Sequence, residues 1–153
     1  MNQENVDRAA GIAKMVDLNR KIARSSDEYD HRAREYAVRL NRTELSKTQI
    51  RGLETLAYTT NKVSDVTDWI KKHVAKDAKR NLWAKDGIGR ELLITLEGLR
   101  QDAKEIVKTA KNYPTTFRED PDLERQLHLR LIREYLKHLV AHFEYQHAVK
   151  RQQ

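Results

Sequence analysis

The chain has 153 residues, 35% of them charged and 39% hydrophobic, with no Cys, five Gly and two Pro, and a formal net charge of +7. That length can build one domain with a real core, and the scarcity of Gly and Pro argues against a turn-rich fold. Disulfide and thiolate chemistry are excluded, no apolar run approaches the roughly 18–20 residues of a membrane span, and the positive balance favours an acidic partner such as nucleic acid. The first residues, Met1 to Asn5, lack the basic start and apolar core of a signal peptide, so a cytoplasmic protein is expected.

Residues 5–24 read as a first helix. Val6, Ala9, Ile12, Ala13, Val16 and Ala23 form only a weak apolar stripe, so residues 1–24 are expected to pack weakly. Ser25-Ser26-Asp27-Glu28 then fits an S-x-x-E capping box and predicts a second helix to about Leu40, with Tyr29, Ala33, Tyr36, Ala37 and Leu40 facing inward.

The strongest helix start is Leu45-Ser46-Lys47-Thr48-Gln49-Ile50-Arg51. Ser46 and Gln49 are spaced to satisfy each other's backbone N–H, and Leu45 and Ile50 are spaced as a hydrophobic staple. The helix behind it reads as one long element to about Val74. Ile50, Leu53, Ala57, Thr60, Ser64, Thr67, Ile70 and Val74 recur at steps of three and four. The opposite face carries Lys47, Arg51, Tyr58, Lys62, Trp69, Lys72 and Lys76, interrupted by Glu54 and Asp65. Cations interleaved with aromatics suit a nucleic-acid strand, because ammonium and guanidinium groups meet phosphates and rings stack on bases. The same pattern also describes a solvated face whose rings pack at the core edge.

A basic run from Lys71 to Arg80 follows, and residues 75–89 are expected to form a mobile basic loop ending in the turn Lys85-Asp86-Gly87-Ile88-Gly89. A further helix spans about 88–111, with Ile88, Leu92, Leu96, Leu99, Ala103, Ile106 and Ala110 on its core face and Pro114 as its stop. Thr115 to Glu119 read as a link. Asp120-Pro121-Asp122 then predicts a helix start, with a cap, a proline at the first position and an acid at the positive end of the dipole. The last helix runs to about Lys150. Leu129, Ile132, Leu136, Val140, Phe143 and His147 share one face, and Arg130, Arg133 and Lys137 flank it where they could line a groove. No strand-period segment or internal repeat is present. The expectation is an all-α protein, a single compact bundle of about five helices over residues 1–153 with one long capped central helix.

Catalytic signatures are missing. Gly87-Ile88-Gly89 lacks the third glycine of a dinucleotide loop, and there is no G-x-S-x-G elbow. His138 and His142 are four apart, but Leu139 stands where a zincin needs Glu, and Glu144-x-x-His147 has no second copy. No enzyme, no metal site and no cofactor is expected.

Two stretches resemble a known family. Leu45-Ser46-Lys47-Thr48-Gln49-Ile50-Arg51 is similar to the L-(S/T)-x-(S/T)-Q-(I/L)-R signature of the small Csm subunit of type III-A CRISPR effector complexes. Tyr135-Leu136-Lys137-His138-Leu139-Val140-Ala141-His142-Phe143-Glu144-Tyr145 resembles the aromatic, V-A-containing last helix of the same family. Glu91 to Val107 is compatible with its middle helix, so Ala37 to Val149 is covered in order. Lys137-His138 replaces an acid and a small residue, His142 replaces a usual Tyr, and the first 24 residues have no counterpart.

The resemblance implies a non-catalytic role in antiviral defence. Such subunits stack head to tail as a minor filament, line the path of the guide–target duplex and contact the RNA backbone without reading sequence. Their partners are RNA, the other Csm subunits and further copies of the chain. Lys47 and Arg51 carry over from the matching motif. Tyr58, Lys62, Trp69, Lys72, Lys76, Arg130, Arg133 and Lys137 complete the candidate RNA-binding set from helical geometry. Two other readings remain open at this stage: a helical homodimeric scaffold without nucleic acid, and a DNA-binding regulator built on the 41–46 connection.

Overall fold

A computed structural model describes residues 2–109 and 121–152, without the side chain of Pro121. The described residues form five α-helices and no strand. These are α1 (Gln3–Leu40), α2 (Lys47–Thr59), α3 (Val63–Lys76), α4 (Ile88–Lys108) and α5 (Pro121–Gln152), with one 3-10 turn at Lys85–Gly87 ahead of α4. The expected all-α bundle is the observed fold. None of its helices is long and apolar enough to cross a membrane, among the described residues.

α1 and α5 form the spine, α2 and α4 pack on α5, and α3 packs chiefly on α4. The core is continuous, running from Leu18 and Ile22 on α1 through Leu53, Ile70, Leu92 and Leu96 to Leu136, Leu139 and Phe143 on α5. Tyr29 and Tyr135 meet inside it with ring centroids 6.2 Å apart. Burial raises the pKa of both phenols, Tyr135 to about 12, and Tyr29 also donates to Asp102 Oδ2 at 2.7 Å.

α1 is one helix of 38 residues, not two. The Ser25–Glu28 capping box does not form. α1 runs unbroken through Ser25, the expected cap, and its neighbour Ser26 is buried with its hydroxyl donating to Glu134 Oε2 on α5 at 2.8 Å. The N-cap is Asn2, whose Oδ1 accepts the Asn5 N–H at 2.9 Å. Before Leu18 no residue of α1 is buried, and Val6, Ile12, Met15 and Val16 are all exposed. Too few large apolar groups on the inward face leave this half without a core of its own.

The long central helix is broken in two. The Ser46–Gln49 capping box forms as expected, with Leu45 and Ile50 buried, but α2 stops at Thr59. Thr60 is extended (ψ 157°), donates its hydroxyl to Asp65 Oδ2 at 2.5 Å and accepts the Lys62 N–H at 3.1 Å. Thr59, Thr60 and Asn61 all favour such local side-chain–backbone bonds over a helix interior. The break resets the helical phase, so the expected face splits. Thr60 and Thr67 are buried but Ser64 is exposed.

The 75–89 segment is anchored by Trp83, which is 0% exposed and lies edge-on to Trp69 at 5.6 Å. The Trp83 carbonyl accepts the Gly89 N–H at 2.9 Å. Gly89 is required there, because a Cβ would fall 2.5 Å from Val74 Cγ2 and 2.7 Å from the Trp83 oxygen. α4 buries the expected Ile88, Leu92, Leu96, Leu99, Ala103 and Ile106. Ala110, Pro114, the 115–119 link and the Asp120 cap lie outside the described residues.

Candidate nucleic-acid interface

The ten expected RNA-binding residues do not form one stripe. Lys62, Arg130 and Arg133 line a groove of about 1210 Å³ between the start of α3, α4 and the first turns of α5. Arg100 on α4 and Arg125 on α5 join them, giving five cations in the wall against two carboxylates, Glu97 and Asp122. Asn61, Ser64, Thr67 and Gln126 add neutral hydrogen-bonding groups. No side-chain cap closes the start of α3, so its first N–H groups add to the positive character of this wall.

Local bonds set how these cations are held. Arg133 Nε donates to the Ala57 carbonyl at 2.7 Å and Nη2 to the Thr60 carbonyl at 2.9 Å, closing the C-terminal end of α2. Arg130 Nη2 donates to Asn19 Oδ1 at 2.7 Å and ties α5 to α1. Arg100 and Arg125 are strongly exposed, and each sits beside one acid, Glu124 at 3.4 Å and Asp122 at 3.7 Å. Exposed pairs of this length are weak and can open to an incoming phosphate. His128 is buried in the groove floor, its Nε2 2.8 Å from the Leu96 carbonyl, and burial lowers its pKa.

Tyr58 is outside the groove lining and adjoins it through Arg133. Its ring is 49% exposed, and the Arg133 guanidinium lies 5.9 Å from its centroid. Lys137 is on the same side, held at 2.9 Å by Glu134, and that hydrogen bond raises the lysine's pKa. Burial pushes the carboxyl of Glu134 up, while the bonds from Lys137 and Ser26 more than offset it, leaving the pKa below the ordinary glutamate range.

Lys47 and Arg51 lie elsewhere, along the seam between α2 and the C-terminal part of α5. Arg51 is paired with Glu144, and this hydrogen bond lowers the carboxyl's pKa and raises the guanidinium's. Glu144 is eleven residues beyond Arg133, roughly 16 Å along α5. Lys72 and Lys76 are exposed on α3, but roughly 140° and 180° around the helix from groove-lining Thr67. Trp69 is not a presented ring. It stacks on His73 (centroids 3.6 Å apart, 22° between planes) and packs against the core. The helix break at Thr60 turns Lys72 and Lys76 away from the groove, whereas Lys47 and Arg51, which precede it, are removed by distance along α2 and α5.

The histidine pair on α5 belongs to an α1–α5 clasp. His138 Nε2 is 2.8 Å from Ser26 Oγ, and its Nδ1 is 3.3 Å from Asp30 Oδ1. His142 Nε2 reaches the same Asp30 oxygen at 2.7 Å, and this bond lowers the Asp30 pKa. The order Ser26, His138, Asp30 follows that of a nucleophile–base–acid relay. However, the serine is 6% exposed, its proton is directed to Glu134, and the surrounding amides are spent inside α1. Neither the access nor the oxyanion donors of acyl transfer are present at this cluster. Among the described residues no group of three His, Cys, Asp or Glu could hold a metal ion.

The site is therefore a cation-lined, polar groove on an all-α bundle, with Tyr58 beside its Arg133 wall. Comparison with known protein families, with curated proteins and with solved structures finds no match to this chain.

Proposed function

We propose that this chain is a non-catalytic, RNA-binding structural subunit of a ribonucleoprotein. The observation that carries the reading is the groove, where five Lys and Arg side chains from α4, α5 and the α2–α3 connection line one concave, polar surface. Such a wall neutralises phosphates, which suits contact with the RNA backbone.

The narrower assignment is the small subunit of a type III-A CRISPR effector, stacking as a minor filament in the cytoplasm and contacting guide and target RNA. It rests on the resemblance of Leu45–Arg51 and Tyr135–Tyr145 to that family. In the fold these two stretches lie against each other, with Arg51 of one paired to Glu144 of the other. A tagged pull-down from the source cells tests this assignment. Copurifying short RNAs that share one repeat-derived 5′ end, with several larger protein partners, would support it. A clean homodimer without RNA would overturn it. The exposed Val6, Ile12, Met15 and Val16 of α1 favour that scaffold reading as the second choice.

A further inference from the structure

We infer that the groove selects ribose over deoxyribose: His128 Nδ1 and Thr67 Oγ1 on its floor accept hydrogen bonds from 2′-hydroxyls while the cations of its wall hold the neighbouring phosphates. This rests on the RNA-binding reading above and narrows the ligand class of the same site. It applies to a single strand and to an A-form duplex alike, because the shallow minor groove of the duplex also displays its 2′-hydroxyls.

The placement of protons on the groove floor carries it. Of the polar side chains lining the groove, only His128 on α5 and Thr67 on α3 are buried, at 7% and 6% exposed. His128 Nε2 lies 2.8 Å from the Leu96 carbonyl. A carbonyl oxygen only accepts, so Nε2 carries the ring proton and Nδ1 of the neutral imidazole is left as an acceptor. Burial lowers the His128 pKa, which keeps the ring neutral at ordinary pH. Thr67 donates its hydroxyl to the Ser64 carbonyl at 3.3 Å, so its oxygen likewise has only lone pairs to offer.

The wall is the converse of the floor, since Lys62, Arg100, Arg125, Arg130 and Arg133 only donate. The matching ligand carries anionic acceptors along its edge and a donor directed inward. In a nucleic-acid backbone the phosphate and ether oxygens only accept, and the 2′-hydroxyl of RNA is the one donor. A deoxyribose strand that excludes water from the floor leaves both buried acceptors unpaired, which is costly in a site built around a hydroxyl. Glu97 and Asp122 accept as well, but both are exposed and carry a charge that repels adjacent phosphates, and Asp122 already pairs with Arg125.

The test is fluorescence anisotropy at low salt with the full chain and three labelled probes of equal length and identical bases. These are oligouridylate, oligodeoxyuridylate and 2′-fluoro oligouridylate, the last of which keeps the ribose pucker but cannot donate. The ribose form should bind at least about threefold more tightly than either analogue, as one or two neutral hydrogen bonds would give. Thr67→Val combined with His128→Leu should remove that preference by weakening the ribose form alone. The salt slope should stay the same for all three probes, because no phosphate contact is lost. Circular dichroism melts establish that the variant folds, and the parent's comparison of the three sugars needs no variant. Binding of either analogue as tight as that of the ribose form, or a ribose preference that survives in the folded variant, overturns this inference and leaves the phosphate-contact reading intact. If no probe is bound in a salt-dependent manner, both fall together.

Discussion

Arg133→Ala separates architecture from binding most sharply. Sequence periodicity marks Arg133 as a groove-flanking cation, whereas the structure also makes it the lock on the α2–α3 break. Its guanidinium donates to the Ala57 and Thr60 carbonyls, which lie among the unsatisfied acceptors at the end of α2. Each such charge-assisted bond contributes about 1.5–3 kcal/mol, and a cation at a helix C-terminus adds about 0.3–1 kcal/mol. Water can reach this half-buried position and replace part of the loss. The net cost should therefore be about 2–3 kcal/mol, a fall in Tm of about 5–10 °C for a chain of this size. Arg133→Lys offers one ammonium in place of two aligned N–H groups and should recover about half of the loss. Calorimetric or circular-dichroism melts at moderate salt give the answer. A Tm change below about 2 °C for Arg133→Ala would refute the capping role.

Other perturbations test neighbouring parts of the account. Gly89→Ala should destabilise the protein by about 1–3 kcal/mol in urea titrations, because the new Cβ meets Val74 and the Trp83 carbonyl; an unchanged midpoint would contradict the tight α3–α4 approach. Trp69→Ala should cost about 2–3 kcal/mol of stability and leave the salt dependence of RNA binding unchanged, since the ring is engaged by His73 and Trp83. A selective loss of RNA affinity at unchanged stability would return Trp69 to the binding set. His128 has a folded-state pKa below its unfolded one, so its contribution is full above the ordinary histidine range and is lost as pH falls through it. Stability should decline as pH falls below about 6.5, at no more than about 1.4 kcal/mol per pH unit. His128→Gln should flatten that decline. The stabilisation from the lowered Asp30, Glu134 and Glu144 carboxyls is full above the ordinary carboxylate range of about 4 and is lost as pH falls through and below it.

The parts legible in the sequence are those where one local signal decides the outcome. The Ser46–Gln49 box, the Leu45/Ile50 staple and the α4 stripe from Ile88 to Ile106 are of this kind, and all form. Errors arose where a side chain had a second possible partner. Ser25 looks like a cap in sequence, yet α1 passes through it unbroken, with the next residue, Ser26, buried and bonded to Glu134 more than a hundred residues away. Thr60 matches the helical spacing of its neighbours, yet its hydroxyl prefers Asp65 and Lys62, and a three-residue gap rotates everything after it. For that reason Lys62 belongs with Arg130 and Arg133 rather than with Lys72 and Lys76.

Arg100 and Arg125 were missed because α4 and the start of α5 read as core and dipole elements. The available signal was the polar run Arg125-Gln126 continuing the Arg130–Arg133 flank by one turn. The proximity of Arg51 to Glu144, by contrast, has no signature in either segment alone.

The most direct measurement of the central claim is an amide NMR titration of the full chain with a short unstructured RNA at low salt, repeated after salt is raised. It detects weak binding, which is expected of a single subunit whose affinity in an assembly comes from many copies in register. The account predicts shifts concentrated at residues 61–67, 97–100 and 125–133 and at Tyr58, shrinking steeply with salt and abolished by Lys62→Glu combined with Arg125→Glu. Shifts confined to the exposed first half of α1, or none at millimolar RNA, would contradict it.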